Sequence, residues 1–246
     1  MSLYCNVRLC RINSPKAVCA LKSIEVENIM KKTVILFQGD SITDGGRLKD
    51  PNRAWDLNHQ MGHCYAYNIA SFLGARYPER YYEFINRGIS GNRVADLYGR
   101  WKEDALKFKP DILSMLVGIN DCGSTINYGT GSEPDRFEKI YQLMMDEMRE
   151  VNPDVKLILM EPFMLPVAER KEKFELWNSA ICPIQEKVQC LANRNGAVFV
   201  PLQDKFLELC KVREPEYWVW DGIHPTVAGH QIIADQWLTC VKEILL

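Results

Sequence analysis

Four short segments of the sequence carry side chains whose types and spacing suit acyl transfer. The first is Gly39-Asp40-Ser41-Ile42-Thr43-Asp44-Gly45-Gly46. A serine between a strand and the start of a helix exposes its hydroxyl. Its own N–H and the positive helix end then favour a developing anion. The plain alternative is that Asp40 or Ser41 only caps a helix. The segment lacks the Lys-Ser or Lys-Thr of a P-loop and is not a Gly-x-Ser-x-Gly elbow. In the second, Asn86-Arg87-Gly88-Ile89-Ser90-Gly91-Asn92, Gly91 can present an unobstructed N–H, or the stretch is simply a tight turn. The third, Gly118-Ile119-Asn120-Asp121-Cys122-Gly123, offers the Asn120 amide as a donor to an oxyanion. Asp121 suits a capping or bracing role there, and nothing near Cys122 marks its thiol as activated. The fourth is Trp220-Asp221-Gly222-Ile223-His224-Pro225. His224 precedes a proline, so it is expected to be extended and outside the following helix. Asp221 stands near enough for its carboxylate to fix the imidazole tautomer and stabilise the imidazolium. Alone, such an Asp-x-x-His pair is often structural or a weak metal site. Together the four segments supply the parts of one acyl-transfer site.

The elements that must hold these segments follow from the hydropathy pattern. Apolar runs over residues 34–37, 82–85, 112–117, 155–160 and 198–200 are short and bounded by Gly, Pro, Asp or Asn, as buried parallel strands are. Helical periodicity lies between them. Phe137, Ile140, Tyr141, Met144, Met148 and Val151 form one helix face. The last helix is expected to begin near Pro225, with Val227, Ile232, Ile233, Trp237, Leu238 and Val241 on its apolar side. Five strands alternating with helices predict one α/β domain whose parallel sheet is covered on both faces. In such a sheet, ligands bind at the carboxyl ends of the strands, where the strand order reverses. All of the first three segments follow an apolar run directly.

Composition narrows the function classes. The chain has 246 residues, 47% hydrophobic and 25% charged, with a net charge of -2. So even a balance argues against a nucleic-acid binder held by bulk charge. No apolar run reaches the roughly 20 residues that span a bilayer. Nine cysteines are spread along the chain without a Cys-x-x-Cys pair, which predicts reduced, mostly buried thiols. Residues 1–30 read as an extension without the apolar core of a signal peptide, and residues 31–246 as the single domain. His59, His63 and His230 are expected to make structural hydrogen bonds or lie at the surface, with no metal site.

These blocks, in this order over about residues 33–240, resemble the SGNH hydrolases, also called the GDSL esterase/lipase family. Ile42 stands where the commoner residue is Leu. The resemblance implies a flavodoxin-like three-layer α/β/α sandwich with a five-stranded parallel sheet. It places the nucleophile on Ser41, the general base on His224 and the triad acid on Asp221. It places the oxyanion donors on the Ser41 and Gly91 N–H groups and the Asn120 side chain. No cofactor is implied. The texture around Asn86–Asn92, Arg100–Asp104 and Trp220–Gly229 is similar to carbohydrate acetylesterases such as acetylxylan esterases. That implies an esterase acting on short acetyl esters of small molecules such as acetylated sugars, in a cytoplasmic homo-oligomer. Asp40, Trp55 and Trp220 are candidate substrate contacts, and Tyr128 and Trp218 also flank the motif loops. The alternatives are a lysophospholipase or thioesterase on the same fold, or a silent binding module.

Overall fold

A computed structural model describes residues 32–53 and 55–245; the expected extension over residues 1–30 lies outside them. The strands are β1 (Thr33–Gly39), β2 (Tyr82–Asn86), β3 (Ile112–Leu116), β4 (Lys156–Met160) and β5 (Val198–Val200). They form one parallel sheet in the order β2-β1-β3-β4-β5. This is the flavodoxin-like order, with its reversal between β1 and β3. All five expected runs become strands, with ends shifted by up to two residues. β3 shows why they were continuous in hydropathy: every residue from Ile112 to Leu116 is buried, because both faces of the sheet are covered.

The principal helices are α1 (Ser41–Asp44), α2 (Leu57–Met61), α3 (Tyr65–Arg76), α4 (Val94–Gly99), α5 (Ile119–Tyr128), α6 (Pro134–Val151), α7 (Phe174–Asn195) and α8 (Val227–Cys240). The chain steps from β1 to β2 in one direction and from β3 through β5 in the other. Right-handed crossovers therefore put the connecting helices on opposite faces. On one face, Phe37 of β1 meets Tyr65 of α3 and Trp237 of α8, with ring centroids 6.0 and 5.9 Å apart. Trp237 is fully buried and still satisfies its indole N–H, which donates to Ser114 Oγ at 3.0 Å. Truncating it to alanine would cost roughly 3–5 kcal/mol, as for other buried aromatics. On the other face, Trp101 donates to the Met144 carbonyl of α6 at 3.1 Å. The α6 residues Phe137, Tyr141, Met144 and Met148 are all buried, as the periodicity predicts.

The last helix corrects an expectation. It starts at Val227, because the Thr226 hydroxyl caps it by accepting from the Gly229 N–H at 3.2 Å. Pro225 instead pairs antiparallel with Val219 in a narrow hairpin. Val227, expected on the apolar side, is 89% exposed; one turn further in, Ile233 and Trp237 carry the buried face.

Candidate active site

The reversal of strand order leaves a crevice beyond the carboxyl ends of β1 and β3, and the motif segments converge there. After β1 the backbone breaks at Asp40, whose Oδ1 accepts from the Ile42 N–H at 3.0 Å and caps α1. Ser41 is thus the first residue of the helix, where its N–H has no intrahelical acceptor. The Ser41 hydroxyl lies 2.8 Å from His224 Nε2. His224 Nδ1 lies 2.7 Å from Asp221 Oδ2. The structure therefore brings Ser41, His224 and Asp221 into one hydrogen-bonded chain.

Local sequence explains how the 220–225 loop holds this pose. The other Asp221 oxygen accepts from the Ile223 and His224 N–H groups at 2.9 and 2.8 Å, an Asx-turn that folds the loop back on its own aspartate. Gly222 sits at φ +93°, and a Cβ there would come 2.7 Å from the Leu165 carbonyl oxygen. Only glycine fits both demands. The hairpin closes with the Trp220 N–H donating to the His224 carbonyl at 3.0 Å. Trp220 stacks on the His224 ring, centroids 5.4 Å apart and planes 18° from parallel, yet is 60% exposed.

The electrostatics follow from these partners. Burial opposes the ionisation of Asp221, but bonds from the His224 ring and from two amides outweigh it and hold the carboxyl at about 2. The Asp221 bond in turn raises His224 above the ordinary histidine value against the opposing effect of burial. Asp40 adds to that rise, and Arg170 works against it.

Gly91 approaches from the loop after β2, and Asn120 from the first turn of α5, after β3. Gly91 has φ +81° and open space where a Cβ would lie. Neither its N–H nor that of Ser41 donates to another group among the described residues. Asn120 is fixed by donating to the Asn92 carbonyl at 3.1 Å, and one amide hydrogen remains for a ligand. Two aspartates brace the segment after β2. Asp44 accepts from the Ser90 N–H at 2.9 Å, next to Gly91, and pairs with Lys49. Asp121 accepts from the Val94 N–H at 3.0 Å and ties α5 to α4.

The remaining candidates divide. Asp40 is 1% exposed and turned into the protein, where burial pushes its carboxyl up to about 7; it faces the site through its charge and not through contact with the cleft. Trp55 is 75% exposed, with the Arg53 guanidinium 5.7 Å from its ring centroid, and does not line the cleft beside Ser41. Trp218 is core and donates its indole N–H to the Leu209 carbonyl, while Tyr128 is exposed away from the cleft. Cys122 is buried, and burial pushes its thiol up to about 12, which disfavours the thiolate.

Arg170 was not singled out by the sequence. Its Nη1 donates to the Asp221 carbonyl at 2.6 Å, its charge lies 3.9 Å from Asp221 Oδ2, and its guanidinium packs 4.9 Å from the Trp177 ring centroid. The signal that could have found it is the carboxyl end of β4, from which the chain runs directly to this residue.

Comparison with known proteins agrees with the geometry. The model of the GDSL-like lipase/acylhydrolase family matches residues 37–232. An acetylxylan esterase from Geobacillus stearothermophilus is 34% identical over 206 residues, covering 83% of this chain and 91% of the esterase. The structure of Axe2, an acetylxylan esterase from the same organism, superposes with a TM-score of 0.73 at 30% identity, covering 85% of this chain and 94% of that one. Variants of Axe2 that replace a serine, an aspartate or a histidine with alanine are each described as catalytic mutants. A protein from Parabacteroides merdae described as a GDSL-like lipase superposes with a TM-score of 0.80 at 33% identity, covering 87% and 98%.

Proposed function

The chain belongs to the GDSL-like lipase/acylhydrolase family and is a carboxylic ester hydrolase; we propose that it removes acetyl groups from sugars such as acetylated xylo-oligosaccharides, with Ser41 as nucleophile. The observation that carries the reading is the chain from Ser41 Oγ to His224 Nε2 at 2.8 Å and from His224 Nδ1 to Asp221 at 2.7 Å. The similarity to an acetylxylan esterase supports the acetyl group and the sugar.

The mechanism runs in two steps. His224 takes the proton from Ser41 as its oxygen attacks the ester carbonyl, while Asp221 stabilises the imidazolium that forms. The oxyanion accepts hydrogen bonds from the Ser41 N–H, the Gly91 N–H and the free Asn120 amide hydrogen. His224 then protonates the leaving alcohol, and water enters to release acetate by the same path. Trp220, stacked on His224 with its other face exposed, gives a sugar ring a flat surface. No helix among the described residues is long and apolar enough to cross a membrane. A cytoplasmic homo-oligomer completes the reading, on the family resemblance alone.

The test has two arms. Ser41→Ala should abolish turnover of 4-nitrophenyl acetate, leaving at most the roughly 10³–10⁴-fold acceleration over water that binding and an oxyanion hole retain. The wild-type protein should release acetate from acetylated xylo-oligosaccharides and cleave nitrophenyl acetate faster than the butyrate or a long-chain ester. Faster turnover of the longer chain assigns the protein to lipid esters and ends the sugar reading.

A further inference from the structure

All four histidines of the chain, His59, His63, His224 and His230, line a single cleft of about 660 Å³ beside Ser41. His224 is accounted for by the triad, and His59 is held at the surface by Asp56, 2.6 Å from its Nδ1. His230 is different, because the backbone sets its protonation. The first helical residue of α3 is Tyr65, and the preceding Cys64 gives no side-chain cap. The Tyr65 N–H therefore lacks an intrahelical acceptor. It donates instead to His230 Nδ1 at 3.2 Å, across the packed pair of α3 and α8. An accepting Nδ1 carries no proton, so the neutral ring carries its proton on Nε2.

The surroundings keep the ring neutral. Burial, followed by the charges of His63 and His224, lowers His230 to about 4. The positive end of α3 has the same sign of effect. Nε2 makes no hydrogen bond to any described residue, and His230 borders the cleft. The ring therefore has one edge fastened to the protein and one N–H left for whatever enters. This is the logic by which a helix N-terminus elsewhere keeps an active-site imidazole as a neutral donor.

The position of the cleft identifies which part of the substrate that N–H meets. Ser41 and His224 border it, whereas Gly91 and Asn120 do not. The ester carbonyl oxygen must point toward Gly91 and Asn120. The leaving oxygen must lie on the side of His224, which protonates it. The cleft therefore receives the alcohol portion of the ester. Its lining includes Asn58, His63 and Asn68 with the Trp220 ring, which suits a polyhydroxy ring better than an alkyl chain. An alkyl group placed there would leave the Nε2–H without an acceptor, at a cost.

We propose that His230 determines specificity for the alcohol, its Nε2–H donating to a hydroxyl of the sugar adjacent to the ester being cleaved. The proposal rests on the sugar reading above. Its test compares kcat/KM for an acetylated xylo-oligosaccharide with that for 4-nitrophenyl acetate, whose alcohol has no neighbouring hydroxyl. His230→Asn keeps an oxygen able to accept from the Tyr65 N–H and removes the donor at the Nε2 position. The ratio of sugar ester to nitrophenyl ester should fall roughly tenfold, the scale of one lost hydrogen bond, and chiefly through KM. His230→Gln, which places an amide N–H near the Nε2 position, should recover part of that ratio. Independently of any variant, the wild type should discriminate by a similar factor against a deoxy sugar ester lacking the adjacent hydroxyl. An unchanged ratio in His230→Asn, or equal turnover of the deoxy and parent esters, overturns the proposal while leaving the sugar reading intact. A wild type that cleaves nitrophenyl acetate but no acetylated sugar overturns both.

Discussion

The loop that carries Asp221 and the turn that carries Asp40 each bring a carboxyl group to bear on His224, and they treat it differently. Asp221 receives three hydrogen bonds, two from amides of its own loop and one from the imidazole, and is held at about 2 although it is partly buried. Asp40 receives one, from the Ile42 amide, while its second oxygen is buried without a partner, and burial pushes it up to about 7. Two residues of one type, close to one imidazole, are thus shifted in opposite directions, Asp40 upward by its burial and Asp221 downward by the donors around it. In the proposed mechanism Asp221 is the charge that balances the imidazolium. Asp40 is first a helix cap, and its charge reaches His224 only when it ionises. The difference teaches that depth of burial and donor count together, more than residue type or proximity, decide whether a carboxylate beside the imidazole keeps its charge.

The largest expected effect breaks the comparison at Asp221. Asp221→Asn should lower kcat on nitrophenyl acetate by roughly 10⁴, because an amide facing Nδ1 favours the wrong tautomer and supplies no charge. Asp40→Asn should leave most of the rate at pH 8. Stopped kinetics on both variants, with circular dichroism to confirm folding, give the two numbers side by side. Comparable losses would mean that Asp40 works on the reaction as directly as Asp221 does.

What the sequence revealed, and what it hid, divides along the same line. The strands were legible because a doubly covered parallel sheet demands uninterrupted apolar runs, as Ile112–Leu116 shows. The meeting of Ser41, His224 and Asp221 was legible because each stands in a short polar segment of distinctive type that interrupts the apolar pattern. The burial of Asp40 was not legible, because it depends on what folds over it. Trp55 and Trp220 could not be told apart by type or spacing either. One lies on the surface and the other stacks on His224, and only the 219–225 hairpin decides it. Arg170 escaped notice because it reaches Asp221 across a long sequence gap, where the Leu165 N–H donates to the Gly222 carbonyl at 2.9 Å and fastens the loop after β4 to the histidine loop.

Arg170 sharpens the comparison, since it is the cation on the Asp221 side. It donates to the Asp221 carbonyl and lowers His224 by its charge. Arg170→Met should lower kcat/KM about tenfold, the scale of one charged hydrogen bond. The sign of the pH effect follows directly. With His224 as the proposed general base, activity requires its neutral form, so kcat/KM should rise as pH climbs through its pKa. Removing a nearby positive charge raises that pKa, and the rising limb should move to higher pH. A fall in rate with no movement of the limb would restrict Arg170 to holding the loop.

Asp40→Asn gives the smallest expected rate effect, and it tests the other half of the comparison through pH. A negative charge on Asp40 raises His224. Without it, the rising limb of kcat/KM should move to lower pH, opposite to the shift in Arg170→Met. Stability carries an independent signature. The Asp40 carboxyl has an ordinary value of 3.8 and about 7 in the fold, so between those values the native state binds more protons than the unfolded chain. Stability therefore falls as pH rises through that window, and the cost of the buried charge is complete above about 7. Asparagine keeps an oxygen for the Ile42 N–H and cannot ionise, so this loss is removed. At pH 5 the variant should melt at or below the wild-type temperature, because its amide N–H₂ replaces a protonated carboxyl at a site with no partner. From pH 5 to pH 8 the difference in Tm should move steadily in favour of the variant. A Tm difference that does not change with pH would show that Asp40 stays ionised throughout, and the contrast between the two aspartates would then lie in geometry alone.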